Sequence, residues 1–475
     1  MRGRTNVPPR MGGIVNGVVT ECVVSEADGI KIGDYVQLVE GTGVRDTSMK
    51  TCNSDWMYGP FVLSDGTIAS IYCDHSTDLP QVRQTTVGIS GFVVESQITV
   101  LDISELGTPT PSYTVYDNMY VLELEQNKFL LQISDMSSGG FAIIQYNGSS
   151  WTVTPLTTSN FTMPNSPYLA KAKMCKISST KVALAYRSML YIAQLSGTTL
   201  TFGSVTTIPA DSADCLFMEY INGYLLISWL GELFTYSISE TSSTAVSSLE
   251  LSENPTRFNT AKLTSNKLLM LNGSNQTYSY YPNPDGYVYA TILTVNSDGT
   301  MSYVKNTTAL HYDITYPYDS LIDEACPYVF EDGRILAVAL LGVRSGSSSS
   351  YSYQFVSVWT SIGEYDADTN TVEFPILEKF NSSGGLNSSN SDGQTEFFLS
   401  PIEVDESGLM YFVAGGSGNG LRSTSQFILK VEQTSIVALS ELPIVKKYVS
   451  RINGVAKTGG ANGSVIEVYS PSSLL

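Results

Sequence analysis

The chain has 475 residues, of which 42% are hydrophobic and 15% are charged, and its formal net charge at pH 7 is −19. This apolar fraction excludes a disordered polymer, and the excess of acidic residues argues against nucleic-acid binding, which depends on Lys and Arg. No apolar run reaches the roughly 18 residues that a membrane-spanning helix needs, so we expect no membrane insertion.

The N-terminal segment contains Arg2, Arg4 and Arg10, but no apolar stretch of the kind that forms a secretory signal follows them. We therefore expect the protein to be made and assembled in a cytoplasm.

From residue 57 onward one pattern recurs seven times: an apolar strand, a short polar turn and a second, strongly apolar strand. The turns Asp65-Gly66, Asn222-Gly223 and Asp332-Gly333 suit two-residue hairpins, which require positive φ angles. Because the second strand of each copy is apolar almost throughout, we expect it to be buried on both faces. The first apolar residues after the seven turns are Ile68, Phe129, Val182, Leu225, Leu268, Ile335 and Leu409.

A second hairpin with alternating apolar and polar residues follows each copy, as in the segment GFAIIQYNGSSWTV at 140–153. Such alternation indicates strands nearer the solvent. Two hairpins make a four-stranded unit of about 40–50 residues, which is typical of a propeller blade. The sequence therefore predicts an all-β chain with a seven-bladed β-propeller at 53–443, in which the last blade borrows a strand from near residue 53. The alternative is a stacked β-solenoid.

The segments 1–52 and 444–475 lie outside the repeat, and each contains short strands with Gly-rich turns. Neither is long enough to bury a core alone. We expect them to form the two halves of one small β module in which the propeller is inserted.

The N-terminal segment contains Gly33, Asp34 and Tyr35, and the C-terminal segment contains Ile452, Gly454, Val455 and Ala456. Through these residues the pair of segments resembles virion structural proteins of tailed bacteriophages. The resemblance implies a small anchoring module that joins other virion proteins, a host-facing domain inserted in it, a homo-oligomer, and a tail or capsid location.

Residues with catalytic chemistry are few. The two histidines, His75 and His311, have no nucleophile that can be assigned to them. We therefore assign no catalytic residue, no metal site and no cofactor, with calcium as the one ion that the carboxylates described next would suit, and we expect a protein that is not an enzyme.

Tyrosines concentrate in two segments that we expect to be loops beyond the strand pattern. Tyrosine offers a rigid apolar face and a hydroxyl, and neighbouring carboxylates can accept hydrogen bonds from a sugar. The sequence therefore predicts a glycan-binding patch, although single tyrosines could equally pack the outer strands. Its residues are Tyr278, Tyr280, Tyr281, Tyr287, Tyr312, Tyr316, Tyr318, Asp313 and Asp319.

These observations favour a structural component of a phage particle that displays a β-propeller for attachment to a bacterial surface glycan. The alternative is a carbohydrate-active hydrolase with a carboxylate site in the propeller pocket. A cellular interaction scaffold is a third hypothesis, because a bare propeller supports many functions.

Overall fold

The structure is a computed structural model. It describes residues 18–24, 31, 35–52, 57–74, 79–87, 93–106, 119–134, 139–161, 173–186, 188–209, 217–229, 232–251, 259–273, 285–313, 320–330, 334–347, 350–380, 387–388, 396–399, 403–404, 409–417, 423–438, 454–461 and 464–470.

The chain is all-β. Within the residues just given, helical structure is confined to a 3-10 turn at Ser104–Leu106, and no helix is long and apolar enough to span a membrane. The all-β prediction is therefore confirmed. Two compact units are present: the main unit, 46–430, and the terminal unit, 1–45 with 431–475. The domain boundaries at 52 and 443 stay predictions.

Hairpins follow one another along the first half of the chain. The strands are β1 (Val18–Val24), β2 (Tyr35–Cys52), β3 (Met57–Val62), β4 (Ile68–Asp74), β5 (Leu79–Val87), β6 (Val93–Val100), β7 (Met119–Glu125), β8 (Lys128–Ser134), β9 (Gly139–Tyr146), β10 (Trp151–Ser159), β11 (Lys173–Ser178), β12 (Lys181–Tyr186), β13 (Met189–Ser196), β14 (Thr199–Phe202), β15 (Thr206–Thr207), β16 (Met218–Ile221), β17 (Tyr224–Trp229), β18 (Glu232–Ser239) and β19 (Ser242–Glu250).

The second half continues in the same way. Its strands are β20 (Asn259–Thr264), β21 (Lys267–Gly273), β22 (Asp285–Val295), β23 (Met301–Asp313), β24 (Ser320–Val329), β25 (Arg334–Ser347), β26 (Ser350–Asp366), β27 (Thr371–Phe380), β28 (Asn387–Ser388), β29 (Glu396–Leu399), β30 (Glu403–Val404), β31 (Leu409–Ser417), β32 (Ser423–Ala438), β33 (Gly454–Ala456) and β34 (Val465–Ser470).

In the main unit the strands pair in antiparallel sets of four, in the orders β3-β4-β5-β6, β16-β17-β18-β19, β20-β21-β22-β23 and β24-β25-β26-β27. The sets β7–β10 and β11–β14 follow the same order. They join in one sheet because β10 and β14 pair in parallel from Thr157–Thr199 to Ser159–Thr201. Each set contains two consecutive hairpins, as the repeat predicts.

The core of the main unit lies between consecutive sets, and the second strand of a set contributes to two core clusters. In β8, Phe129 and Leu131 pack toward the preceding set, whereas Leu130 packs toward the following one. This period of two follows from the pleat of a strand, which points successive side chains to opposite faces. It recurs at Val182 and Ala183 in β12, Leu225 and Leu226 in β17, and Leu268 and Leu269 in β21.

Hydrogen bonds at the turns connect neighbouring sets. The turn of the first hairpin in one set meets the second hairpin of the next set. Tyr146 OH donates to Asp65 at 2.7 Å, and Asn222 Nδ2 donates to the Val295 carbonyl at 2.9 Å. Lys267 Nζ donates to Asn370 Oδ1 at 2.7 Å. We call these contacts the turn contacts.

The terminal unit is built from both ends of the chain. Strand β1 pairs antiparallel with β34 from Val18–Ser470 to Val23–Val465, and β33 pairs with both β34 and β2. Ile466 and Val468 are each 1% exposed. Lys457 Nζ lies 2.6 Å from Glu467 Oε2. Distant segments of the sequence therefore complete one sheet.

The packing of one turn against the neighbouring set can be tested at two glycines that have nearly the same φ angle. Gly299 has a φ of +84°, and a Cβ there would lie 2.7 Å from Tyr224 Cε1 and Val246 Cγ1 of the preceding set. Gly223 has a φ of +85° and an open surrounding. We expect Gly299→Ala to lower the free energy of unfolding by about 1 kcal/mol more than Gly223→Ala, because only the new methyl group at position 299 would collide with side chains of another set. Equal losses in urea denaturation would contradict the packing of this turn.

The hydrogen bond from Tyr146 to Asp65 makes the free energy of unfolding depend on pH. Burial acts to raise the pKa of Asp65, but hydrogen bonds from Thr67 and Tyr146 outweigh it and hold that pKa below its ordinary value of 3.8. The stability this provides is present above the ordinary pKa and is lost as the pH falls through the lowered one. We expect Tyr146→Phe to lower the free energy of unfolding by about 1 kcal/mol at neutral pH and by less in acid.

The control for this variant is Tyr191→Phe. The Tyr191 hydroxyl donates to a weak acceptor, Met189 Sδ, at 3.3 Å. We expect its removal to change the free energy of unfolding by less than about 0.5 kcal/mol at either pH. A Tyr146→Phe loss that is the same at both pH values would show that Asp65 is not the partner that matters.

Candidate functional site

The first strands of consecutive sets lie side by side. Tyr58 OH in β3 donates to the Met119 carbonyl in β7, and the rings of Tyr58 and Tyr120 are 5.3 Å apart. In the same manner, Tyr120 OH donates to the Met174 carbonyl in β11 at 3.3 Å. Asn259 Nδ2 in β20 donates to the Ala325 carbonyl in β24 at 3.2 Å.

The remaining neighbours complete the series. Strand β11 contacts β16, Thr260 in β20 donates to Glu219 in β16, and β24 contacts β29. Strands β30 and β31 lie against β3. The first strands of the six sets thus follow one another in chain order. Each first strand is also an edge of its sheet, since β7 and β11 are the two ends of the joined one.

Four consecutive first strands each contain a charged residue close to the turn. Three of these residues lie opposite the first apolar residue of the second strand, and the fourth, Glu219, lies opposite the next one, Leu226. Glu123 lies in β7, Lys176 in β11, Glu219 in β16 and Lys262 in β20. Each is the third residue before the turn of its hairpin. The two lysines are exposed and the two glutamates are partly buried. We call these four residues the charged row.

Both carboxyl groups of the charged row have pKa values raised above their ordinary value. Burial raises the pKa of Glu123, and the positive charge of Lys176 opposes that rise only in part. Burial also raises the pKa of Glu219, against the opposing effects of Lys262 and of the Thr260 hydroxyl, which lies 3.3 Å from Glu219 Oε1. A carboxyl group that keeps its proton to higher pH can act as a general acid.

The sequence analysis did not single out the charged row. A signal was present: when the repeats are aligned on their turns, a charged residue recurs at the third position before the turn. It occurs in VLELEQN, CKISST, MEYING and AKLTSN. The side chains become neighbours only because successive sets pack face to face.

Part of the predicted glycan patch lies in strands. Tyr287 is in β22, and Tyr312 and Asp313 are in β23, where Tyr287 is opposite His311. The sequence analysis treated these segments as loops, but the hairpin extends beyond the level of the core because its backbone groups continue to pair. Outside the described residues lie Tyr278, Tyr280, Tyr281, Tyr316, Tyr318 and Asp319. The patch stays a prediction.

Residues of the predicted anchoring module meet in the terminal unit. Tyr35 in β2 is opposite Val455 in β33, which also contains Gly454 and Ala456. Gly33, Asp34 and Ile452 lie outside the described residues. An anchoring role stays a prediction.

Among the described residues, no group of three or more His, Cys, Asp or Glu side chains is placed to hold a metal ion. The predicted calcium ligands, Asp313 and Asp319, have side chains outside the described part of the chain.

No protein-family model matches the chain, and no curated protein matches it. Solved structures are similar at low identity. A core factor from S. cerevisiae shares 10% identity with a TM-score of 0.43 over 91% of this chain, which spans only 63% of that protein's length. A protein from Bacteroides uniformis assigned as a 6-phosphogluconolactonase shares 9% identity over 69% of this chain and 86% of its own, with a TM-score of 0.40.

The NanB sialidase from Streptococcus pneumoniae shares 9% identity over 83% of this chain and 71% of its own, with a TM-score of 0.36. A polysaccharide lyase is also similar, with a TM-score of 0.34. Three of these four proteins carry the names of enzymes, so the prediction of a protein that is not an enzyme is corrected. None of the four names refers to a virion protein, and no residue role is transferred at these TM-scores.

Proposed function

We propose that the protein is a carbohydrate-active hydrolase whose reaction takes place at the charged row. The observation that carries this proposal is the pair of partly buried glutamates, Glu123 and Glu219, whose pKa values are both raised by burial. They lie in first strands separated by one set, with a lysine in the strand that follows each. Paired carboxyl groups are what hydrolysis of a glycosidic bond requires.

A seven-bladed β-propeller is the fold that we propose for this reaction. Six blades correspond to the sets β3–β6, β7–β10, β11–β14, β16–β19, β20–β23 and β24–β27. The seventh would consist of β29, β31, β32 and, as its outer strand, β2, which is the neighbour of β32 in the sheet order. In this arrangement the first strands surround the propeller axis, and a pocket there would be lined by the charged row.

The chemistry assigns a different role to each carboxyl group. Glu219, which is the more deeply buried, donates its proton to the glycosidic oxygen as the bond to the leaving sugar breaks. Glu123, as the carboxylate, takes a proton from water while the water oxygen bonds to the anomeric carbon. A separation of about 6.5–9.5 Å between the carboxyl groups suits this inverting mechanism, and about 5–5.5 Å suits a retaining one.

The phage-particle hypothesis receives no support from the comparisons, so attachment is not our main proposal. Its associated features remain predictions: a virion location, other virion proteins and a bacterial surface glycan as partners, a homo-oligomer, and no cofactor. The paired ends in the terminal unit are the observation that keeps an oligomerising module in consideration.

The activity test replaces each carboxyl group in turn. We expect Glu123→Gln and Glu219→Gln each to lower kcat by about 10²–10⁴-fold on any polysaccharide that the wild type cleaves, since each variant removes a proton-transfer group. Reducing-end release from a polysaccharide panel measures this. The control is Glu250→Gln, an exposed residue of the outer strand β19, which should retain wild-type activity. Cleavage that survives both replacements in the charged row would refute the assignment.

The raised pKa of Glu219 also predicts a stability effect. Above the raised pKa the carboxyl is ionised in both the folded and the unfolded chain, and the folded chain then bears the penalty of burying the charge. Below the ordinary value of 4.5 the group is protonated in both states and the penalty disappears. We therefore expect Glu219→Gln to raise the thermal midpoint at neutral pH and to leave it unchanged in acid, whereas Glu250→Gln should change it at neither pH. A lowered midpoint at neutral pH would contradict the burial argument.

A further inference from the structure

We infer that Lys176 and Lys262 bind the acidic group of a sugar, so that the carbohydrate that occupies the charged row carries carboxylates. This inference rests on the hydrolase proposed above and names its class of substrate. Each lysine lies in the first strand that follows the strand of a glutamate, and its positive charge acts on that carboxyl group.

The order along the first strands is glutamate, lysine, glutamate, lysine. Strand β11, which contains Lys176, contacts both β7 and β16, the strands of Glu123 and Glu219. Lys262 is two residues from Thr260, whose hydroxyl donates to Glu219 Oε1 at 3.3 Å. A sugar residue bound at either carboxyl group therefore has a lysine as its neighbour along the row.

Exposure distinguishes the two kinds of charge. The lysine side chains are exposed, whereas the glutamates are partly buried. The ammonium groups are therefore available on the solvent side, from which a ligand enters. An ammonium group binds a carboxylate through charge-assisted hydrogen bonds, which are roughly twice as strong as neutral ones.

The negative net charge of the chain makes the position of the two lysines important for binding an acidic polymer. The chain contains 45 acidic and 26 basic residues, so its long-range field repels an acidic polymer. A site that accepts such a polymer needs fixed cations where the polymer is bound. Lys176 and Lys262, whose side chains are exposed, supply such cations in the charged row.

A competing explanation is that the lysines only offset the buried glutamates. In that case replacing a lysine would change stability and leave binding of acidic sugars untouched. The two explanations therefore differ in a binding measurement that compares acidic sugars with neutral sugars of the same backbone.

The experiment is titration calorimetry with the full-length Glu219→Gln variant, in which the proposed cleavage is stopped. The probes are oligogalacturonate, alginate and hyaluronan oligomers, each compared with its carboxyl-reduced form. We expect at least one acidic oligomer to bind at least tenfold more tightly than its reduced form. Adding Lys176→Met or Lys262→Met should lower that affinity about tenfold or more while leaving the reduced form unaffected. The control is Lys181→Met, a partly buried residue of the second strand β12.

The inference is overturned if no acidic oligomer binds more tightly than its reduced form, or if both lysine variants bind the acidic oligomers as the parent does. The proposed hydrolase fails separately, when the wild type releases no product from any polysaccharide although acidic oligomers bind. Cleavage of a neutral polysaccharide without preference for acid leaves the hydrolase in place and removes only the role of the lysines.

Discussion

Burial of the second strand of each set on both faces is the constraint on which the main unit depends. Strands β12 and β17 are each buried at five of six positions, and β4 is buried at six of seven. A strand of this kind is stable only when another apolar surface covers each side. Each set must therefore pack between two others, and successive side chains such as Phe129 and Leu130 belong to different core clusters.

Face-to-face packing also decides what the first strands can do. These strands are paired on one side only, so their other side is satisfied by cross-set bonds such as those from Tyr58 and Tyr120. Charged residues are tolerated there because the edge remains open to water at one side. The charged row is the consequence: its carboxyl groups are buried enough for their pKa values to rise, and its lysines remain in solvent.

Much of the architecture could be predicted from the repeat. Hairpin turns such as Asn222-Gly223 have the positive φ angles that their residues suggest, and strands after the turns are buried as their composition predicts. The segments around Tyr287 and Tyr312 differ from the prediction because backbone pairing extends the hairpin where aromatic composition suggested a loop. The prediction of a protein without enzymatic activity depended on a search for histidine and nucleophile motifs, and carboxyl groups on separate strands leave no such motif.

The sequence by itself determined the class of structure, because alternation, turn residues and apolar runs act over a few neighbouring residues. It also indicated that the two ends contain strands that need a partner. Only the tertiary structure decided that β1 pairs with β34 and that Glu123, Lys176, Glu219 and Lys262 occupy successive first strands that pack beside one another. Consecutive members of the charged row are 43–53 positions apart in sequence. Their proximity therefore arises only when the sets pack, and so does the burial that raises the pKa values of the two glutamates.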